Sequence, residues 1–466
     1  MKNGIRRWHS RGVTLILTVA MMGVIIPLAG LAIDASLLYA IKAKLQAAVD
    51  AAALAGARSL NRGLDLASQA DNARATATNF FNANFPNGLL STTGRVLTLA
   101  VAESAYRTRT VRADAVVSAP TYFMRILGVA STTLTATGMA SRRDVNMVLV
   151  LDRSGSMATP MSAMQAAAQG FVDKFAEGRD NVGLIVFGGA SLIAFPNPSP
   201  LGPATNFKTA SPNVDTLIDR TVNGGNTNTA QALWLAYQEL LKRNEAGALN
   251  LIVFFTDGRP NSLIADFNNS TPSLNLLKTT STCTYRLQSN RPMLGYISRG
   301  GSSGSTGTTY GIYKIDADTV SSVTTTPITT NSNGCYFRTD ATKMNKDVAK
   351  MPTLDYYGNA TTGYLPVTLT SLTSPQQIEN ASVNAADNAV QRIRQDNNLN
   401  VVIYTIGYEG GSEVPDEVWM KRISNDPTST FYTTAEPPGL YVKATTTGDL
   451  SGAFARVASE ILRLAL

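Results

Sequence analysis

The stretch DVNMVLVLDRSGSM (residues 144–157) decides the fold. Its first half, Val145–Leu151, is an apolar run broken only by Asn146, as expected of a central parallel strand buried on both faces. The run ends directly in Asp152-x-Ser154-x-Ser156, three short oxygen-bearing side chains at alternating positions. Alternation at a strand end can turn such side chains into one cup. Serine is common in this chain, so the triplet alone is a weak signal, and Ser and Asp are also good helix N-caps.

The sequence downstream repeats the same grammar. Met161–Phe175 carries an apolar helical stripe, and VGLIVFG (182–188) reads as a second buried strand. In NGGNTNTAQALWLAYQELL (223–241), Gly224-Gly225 form a turn and Thr227 stands at a loop-to-helix junction; Leu233, Tyr237, Leu240 and Leu241 mark one helical face. LNLIVFFT (249–256) is a third buried strand, ending in Asp257-Gly258. Strand–helix alternation implies a doubly wound α/β fold, in which ligands collect at the carboxyl ends of the strands. Asp152 and Asp257 both fall at such ends.

Together, Asp152, Ser154, Ser156, Thr227 in GGNTNTA and Asp257 in FFTDG resemble the metal-ion-dependent adhesion site of von Willebrand factor A domains. The resemblance runs from about residue 144 to 466 with one interruption. It implies direct coordination of a divalent ion by Ser154, Ser156 and Thr227, with Asp152 and Asp257 acting largely through water. Hard oxygen donors suit Mg²⁺, or Mn²⁺ or Ca²⁺ in its place. Only these two carboxylates face the ion, and largely through water, so it keeps unneutralised positive charge and an open position for an acidic group from a protein partner or surface ligand.

The interruption spans 262–373, a Ser/Thr/Tyr/Gly-rich insertion that leaves the strand bearing Asp257 and is expected to form part of a binding surface or lid. RGGSSGSTGTTYG (299–311) within it is turn-rich. The A domain is expected to occupy 143–261 and to resume at 374–466. Ser374-Pro375 signals a helix start; the helix runs through Ile393 into a strand at Asn400–Gly410, and Val414–Ile423 and Asp449–Leu464 close the domain as helices.

Upstream, no charged residue occurs from Gly12 to Ile33. At ~1.5 Å per residue this run covers a hydrocarbon layer of ~30 Å. Lys2, Arg6, Arg7 and Arg11 precede it, and Lys42 and Lys44 are the first basic residues after it. The positive-inside bias makes 1–33 a cytoplasmic flank and single inner-membrane span, with everything beyond Asp34 outside, in the periplasm. A cleavable signal peptide cut at Gly30-Leu31-Ala32 is the competing reading; the run is longer than an ordinary signal core, and the helical pattern continues past the cut. ASLLYAIKAKLQAAVDAAALAGA (35–57) holds ten alanines in 23 residues, strongly helix-forming and able to approach other helices closely.

The basic flank, apolar run, Asp34 and Ala-rich tail, in that order, resemble the TadE/TadG-like family of Flp (Tad) pilus assembly proteins over roughly the first sixty residues. The resemblance implies a pilin-like helix that can dock with other pilus or pilus-assembly subunits. Pilins cut by the prepilin peptidase carry Glu five residues after the cleaved glycine; here Leu17 stands at that spacing from Gly12, which argues against processing like a major pilin. Residues 34–142 are expected to combine this helix with a small antiparallel sheet, since RVLTLAVAESA, TVRADAVVSAP and STTLTATGMAS alternate apolar and small polar residues.

Bulk properties exclude other classes. The 466 residues imply two or three domains. The net charge of +7 is dispersed along the chain, so nucleic acid is not an expected partner. The single histidine, His9, precedes the apolar run, leaving no histidine base for an enzyme in the folded body. Cys283 and Cys335 lack metal-ligand spacing and are expected to pair as a disulfide if exported. The leading expectation is a non-enzymatic minor pilin-like subunit that binds through its metal site at the pilus tip on the cell surface. The alternative is an inner-membrane scaffold for pilus assembly.

Overall fold

The computed structural model describes residues 11–245, 248–268, 277–280, 283–286, 292–299, 311–313, 336–338, 351–369, 375–411 and 414–465. Two compact units divide essentially at Arg142/Arg143.

The first unit is organised by helix α1, Arg11–Arg58, which runs unbroken through Pro27. Leu15–Ala29 is exposed, and the second half of the helix buries Ile41, Leu45, Ala48, Val49 and Ala52 at helical spacing. These residues pack on a three-stranded antiparallel meander of β1 (Thr93–Ala105), β2 (Thr108–Pro120) and β3 (Ser131–Arg143). Strand β2 alternates strictly, sending Val111, Ala113, Ala115, Val117 and Ala119 inward. Small side chains let helix and sheet approach closely: a Cβ added at Gly138 would lie 2.6 Å from the Val49 carbonyl oxygen. A second helix, α2 (Leu66–Asn84), covers α1 through Ala73, Ala77 and Phe81. The Ala-rich helix therefore stops at Arg58 and the chain doubles back, a break the helix propensities alone do not predict.

The second unit is a six-stranded sheet, β15-β14-β7-β4-β5-β6. Its members are β4 (Val145–Asp152), β5 (Asn181–Phe187), β6 (Ser191–Phe195), β7 (Leu249–Thr256), β14 (Val402–Tyr408) and β15 (Leu440–Ala444). All neighbours are parallel except the edge pair β5 and β6. Strands β4, β5, β7 and β14 are apolar on both faces because both faces are covered. One face packs on α3 (Met161–Val172), α4 (Val214–Asp219) and α8 (Asp449–Leu464). The other packs on α5 (Thr229–Arg243), α6 (Pro375–Arg394) and α7 (Glu417–Ile423). The resuming segment thus completes the same sheet that residues 145–256 begin. The closing helix α7 starts at Glu417, where Asp416 accepts the Trp419 N–H as its cap, rather than at Val414.

Chain direction fixes where a ligand can sit. The connection from β4 leads to β5 on one side, whereas that from β7 leads toward β14 on the other. The adjacent carboxyl ends of β4 and β7 therefore flank the topological switch point.

Within 262–373, strand β8 (Ser262–Asn268) pairs antiparallel with β11 (Pro292–Ser298), which pairs with β12 (Gly311–Tyr313), and that with β13 (Tyr336–Arg338). Strands β9 (Leu277–Thr280) and β10 (Cys283–Arg286) form a separate hairpin. Most of RGGSSGSTGTTYG, as well as Ser374 and Cys335, lies outside the described residues, and the expected Cys283–Cys335 pairing lies there with Cys335. The returning chain, 351–369, packs on the helices: Gln231 donates to the Tyr357 hydroxyl at 3.0 Å, and Arg392 donates to the Tyr357 carbonyl at 3.1 Å.

Candidate metal centre

Strand β4 carries Asp152 to the switch point, where it is fully buried. The chain then turns sharply, and the Ser154 N–H donates to Asp152 Oδ1 at 2.7 Å, so the carboxylate holds its own loop. Across the crevice, Asp257 follows β7 and is also fully buried. The two serines converge on it: Ser156 Oγ donates to Asp257 Oδ1 at 2.8 Å, and Ser154 Oγ lies 3.5 Å from the same oxygen. The serine hydroxyls are 3.0 Å apart. Ser154 is buried and Ser156 half-buried, so the cluster reaches the surface on the side of Ser156.

Thr227, also buried, enters from a third loop. The Gly155 N–H donates to the Gly225 carbonyl at 2.9 Å, tying the two loops together. Gly225 has φ +89, and a Cβ there would approach the Gly189 nitrogen to 2.9 Å, so both backbone conformation and space require glycine. On its other side, the Thr227 N–H donates to Asn261 Oδ1 at 2.8 Å and its carbonyl accepts the Asn261 N–H at 3.1 Å. The structure thus brings Ser154, Ser156 and Asp257 into hydrogen-bonding range, with Asp152 holding the Ser154 backbone. Thr227 is fixed through its main chain.

Residues that sequence reasoning passed over organise this arrangement. Thr256 donates its hydroxyl to Asp152 Oδ2 at 2.5 Å. Arg153, the unassigned position of Asp-x-Ser, is almost fully buried; it donates through Nε to the Val222 carbonyl at 2.7 Å and through Nη1 to the Gly224 carbonyl at 3.3 Å. Its own carbonyl accepts the Gly224 N–H at 2.6 Å. No local pattern in the sequence marks Arg153 or Asn261, because their partners lie 34 residues or more away. Thr256 carried a signal, standing one residue before Asp257 at the end of the apolar run.

Burial dominates the electrostatics of Asp152. Burial pushes the Asp152 carboxyl up to about 6, partly offset by the Thr256 hydroxyl, the Ser154 donors and the Arg153 charge. A buried carboxylate destabilised in this way is stabilised by a nearby cation. Carboxylate and hydroxyl oxygens are the donors that hard divalent ions prefer, so the residues present fit Mg²⁺. Among the described residues no group of three or more His, Cys, Asp or Glu side chains could hold a metal, so a centre here depends on the hydroxyls. Beside it, Arg259 reaches Glu379 of α6 at 3.3 Å and Asp416 at 3.7 Å, while Arg299 contacts Glu379 at 2.6 Å. These pairs tie Arg259 and Arg299 to the helices.

Residues 146–349 match the family model for the von Willebrand factor type A domain. Residues 12–59 match that of the Flp pilus-assembly TadE/G-like proteins. Among curated proteins, the chain is 32% identical over 123 residues to the uncharacterised protein YfbK of Escherichia coli K12, an alignment covering 26% of this chain and 20% of that protein. The chain therefore spans about a fifth of that relative's length.

Solved structures show looser likeness. The minor pilin PilB of Streptococcus sanguinis gives a TM-score of 0.38 at 14% identity, covering 79% of this chain and 78% of that one. The vWF domain of a type V pilus tip protein of Porphyromonas gingivalis gives 0.36 at 14% identity, covering 70% and 98%. A von Willebrand factor type A structure from Catenulispora acidiphila gives 0.34 at 9% identity, covering 79% and 50%. At these TM-scores the likenesses carry no functional weight.

Proposed function

We propose that this chain is a membrane-anchored, pilin-like minor subunit of a Tad/Flp-type pilus that binds a protein or surface ligand through a divalent ion held by Asp152, Ser154, Ser156, Thr227 and Asp257. The observation that carries the reading is the convergence of Ser154, Ser156 and Asp257 beside buried Asp152 at the switch point of the sheet. When bound, the ion supplies a positive centre that an acidic group on the ligand can complete. The protein's part is to hold the oxygens in place: Thr256 and the Ser154 N–H fix Asp152, Arg153 clamps the glycine turn, and Asn261 holds Thr227.

The anchor reading rests on α1, which contains a stretch long and apolar enough to cross a membrane, with the basic residues of the chain start before it. On this reading the N-terminus is cytoplasmic and the two folded units are periplasmic or displayed on the pilus. The insertion leaves close to Asp257, and on this reading its first strand, Ser262–Asn268, borders the binding surface. Binding rather than catalysis fits a body without a histidine base.

The test is a strain carrying Ser154→Ala with Ser156→Ala. Attachment to surfaces or partners should fall while pili still assemble, as seen by electron microscopy. Absence of pili in that strain would favour the assembly-scaffold role instead, and normal attachment with normal pili would overturn the adhesive reading.

A further inference from the structure

The connection between β2 and β3, Thr121–Ala130 (TYFMRILGVA), is unusually apolar for an exposed turn. Ile126 is 82% exposed and Leu127 81%, and Tyr122, Phe123 and Val129 are also exposed. Soluble surfaces rarely gather such residues in one turn without a partner.

Its position along α1 is fixed by contacts within the first unit. A Cβ at Gly56 would touch Val111 of β2; Val49 meets Gly138, Gln46 donates to the Thr137 carbonyl at 2.8 Å, and Lys42 donates to the Thr135 carbonyl. Nearest the N-terminal half, the Asp34 carboxylate accepts the Tyr122, Phe123 and Met124 N–H groups at 2.9, 2.9 and 2.7 Å. The Phe123 ring fills the space a side chain at Gly30 would need. The two registers agree: from Gly56 to Asp34 the helix advances ~33 Å, and from Val111 to Tyr122 an extended strand advances ~36 Å. The turn therefore lies level with Gly30–Asp34, where the charge-free run ends and the exposed apolar surface of Leu15–Ala29 begins.

We propose that the Thr121–Ala130 turn is a second membrane contact, seating Tyr122, Ile126 and Leu127 in the outer interface of the bilayer beside the anchor helix. Tyrosine and other apolar side chains favour that layer, and Arg125 suits the phosphates of lipid headgroups. The contact explains Asp34. Backbone N–H groups entering a medium poor in water need an internal acceptor, and the two oxygens of this one carboxylate accept all three. It also fixes the orientation of the first unit, since helix and turn together define a plane where a lone helix leaves the unit free to rotate. The proposal rests on the anchor reading above and names the lipid surface as its partner.

The experiment uses the full chain reconstituted in phosphatidylethanolamine/phosphatidylglycerol vesicles with or without brominated acyl chains. Single variants Val24→Trp, Leu127→Trp and Tyr106→Trp report on the anchor, the turn and the far β1–β2 turn, with wild-type emission subtracted. Bromolipid should quench the added tryptophan about twofold at Val24 and at Leu127, with blue-shifted emission, and leave that at Tyr106 unchanged. Quenching at Val24 without quenching at Leu127 overturns the turn contact while leaving the anchor standing. If the Leu127 reporter is blue-shifted yet unquenched, a protein surface covers it, and the lipid assignment falls. Absence of quenching at both positions overturns the anchor and the turn contact together.

Discussion

Replacing Arg153 tests whether the loops of the proposed metal centre are held as their hydrogen bonds imply. Arg153→Ala removes the Nε and Nη1 bonds to the Val222 and Gly224 carbonyls, at 2.7 and 3.3 Å, and leaves both acceptors without this donor. Hydrogen bonds from a charged group contribute about 1.5–3 kcal/mol each, the longer one toward the bottom of that range. Burial of the guanidinium, which lowers its own pKa, offsets part of this. The net loss is about 3 kcal/mol, or ~6–12 °C in Tm for a unit of this size. Arg153→Met keeps the apolar stem and should recover part of the stability but none of the geometry. Because Arg153 positions the turn that carries Thr227, Mg²⁺ affinity should fall about tenfold or more in both variants, equivalent to ~1.4 kcal/mol. Thermal unfolding and calorimetric titration of the same preparations read both quantities. A Tm change under about 2 °C with unaltered Mg²⁺ affinity in Arg153→Ala would refute the clamp.

Two further outcomes follow from other parts of the molecule. Gly138→Ala places a Cβ 2.6 Å from the Val49 carbonyl, which cannot yield as a side chain would, so β3 must separate from α1 at a cost of about 1–3 kcal/mol; limited proteolysis at 131–143 should quicken, and unchanged protection would contradict the packing. Asp355, capping the 355–359 turn, is pushed up to about 6 by burial, despite the Asn359 and Tyr357 donors and the Arg392 charge. The folded state then holds this proton more tightly than the unfolded chain, whose carboxyl titrates near ~3.9, so the stabilisation is full below pH ~4 and lost as pH rises to ~6, about 2–3 kcal/mol. Asp355→Asn should flatten the stability profile across that window in urea titrations, and an unchanged profile would contradict the assignment.

The elements legible in the sequence were those whose pattern is local and long. Val145–Leu151 reads as a strand covered on both sides, and Asp449–Leu464 carries its helical stripe from end to end. The three alternating strands of residues 93–143 likewise declare an inward face. Short elements escaped: β6 has five residues bordered by Pro196, α4 has six, and β15 follows Pro437-Pro438-Gly439. Each is held by its neighbours rather than by its own periodicity. The same division holds at the site. Asp152, Ser154, Ser156 and Asp257 stand at strand ends, where a run of apolar residues points to them. Arg153, Thr256 and Asn261 matter through contacts made only when β4, β7 and the glycine turn come together.

The proposed function requires the buried oxygens at the carboxyl ends of β4 and β7 to hold a divalent ion. Isothermal titration of the purified full chain with MgCl₂ and MnCl₂, wild type against Asp152→Ala, tests it most directly, with circular dichroism confirming that the variant stays folded. A single saturable site in the wild type that disappears in folded Asp152→Ala is the expected result. Equal metal affinity in the two proteins, or no binding by the wild type, would contradict the metal centre.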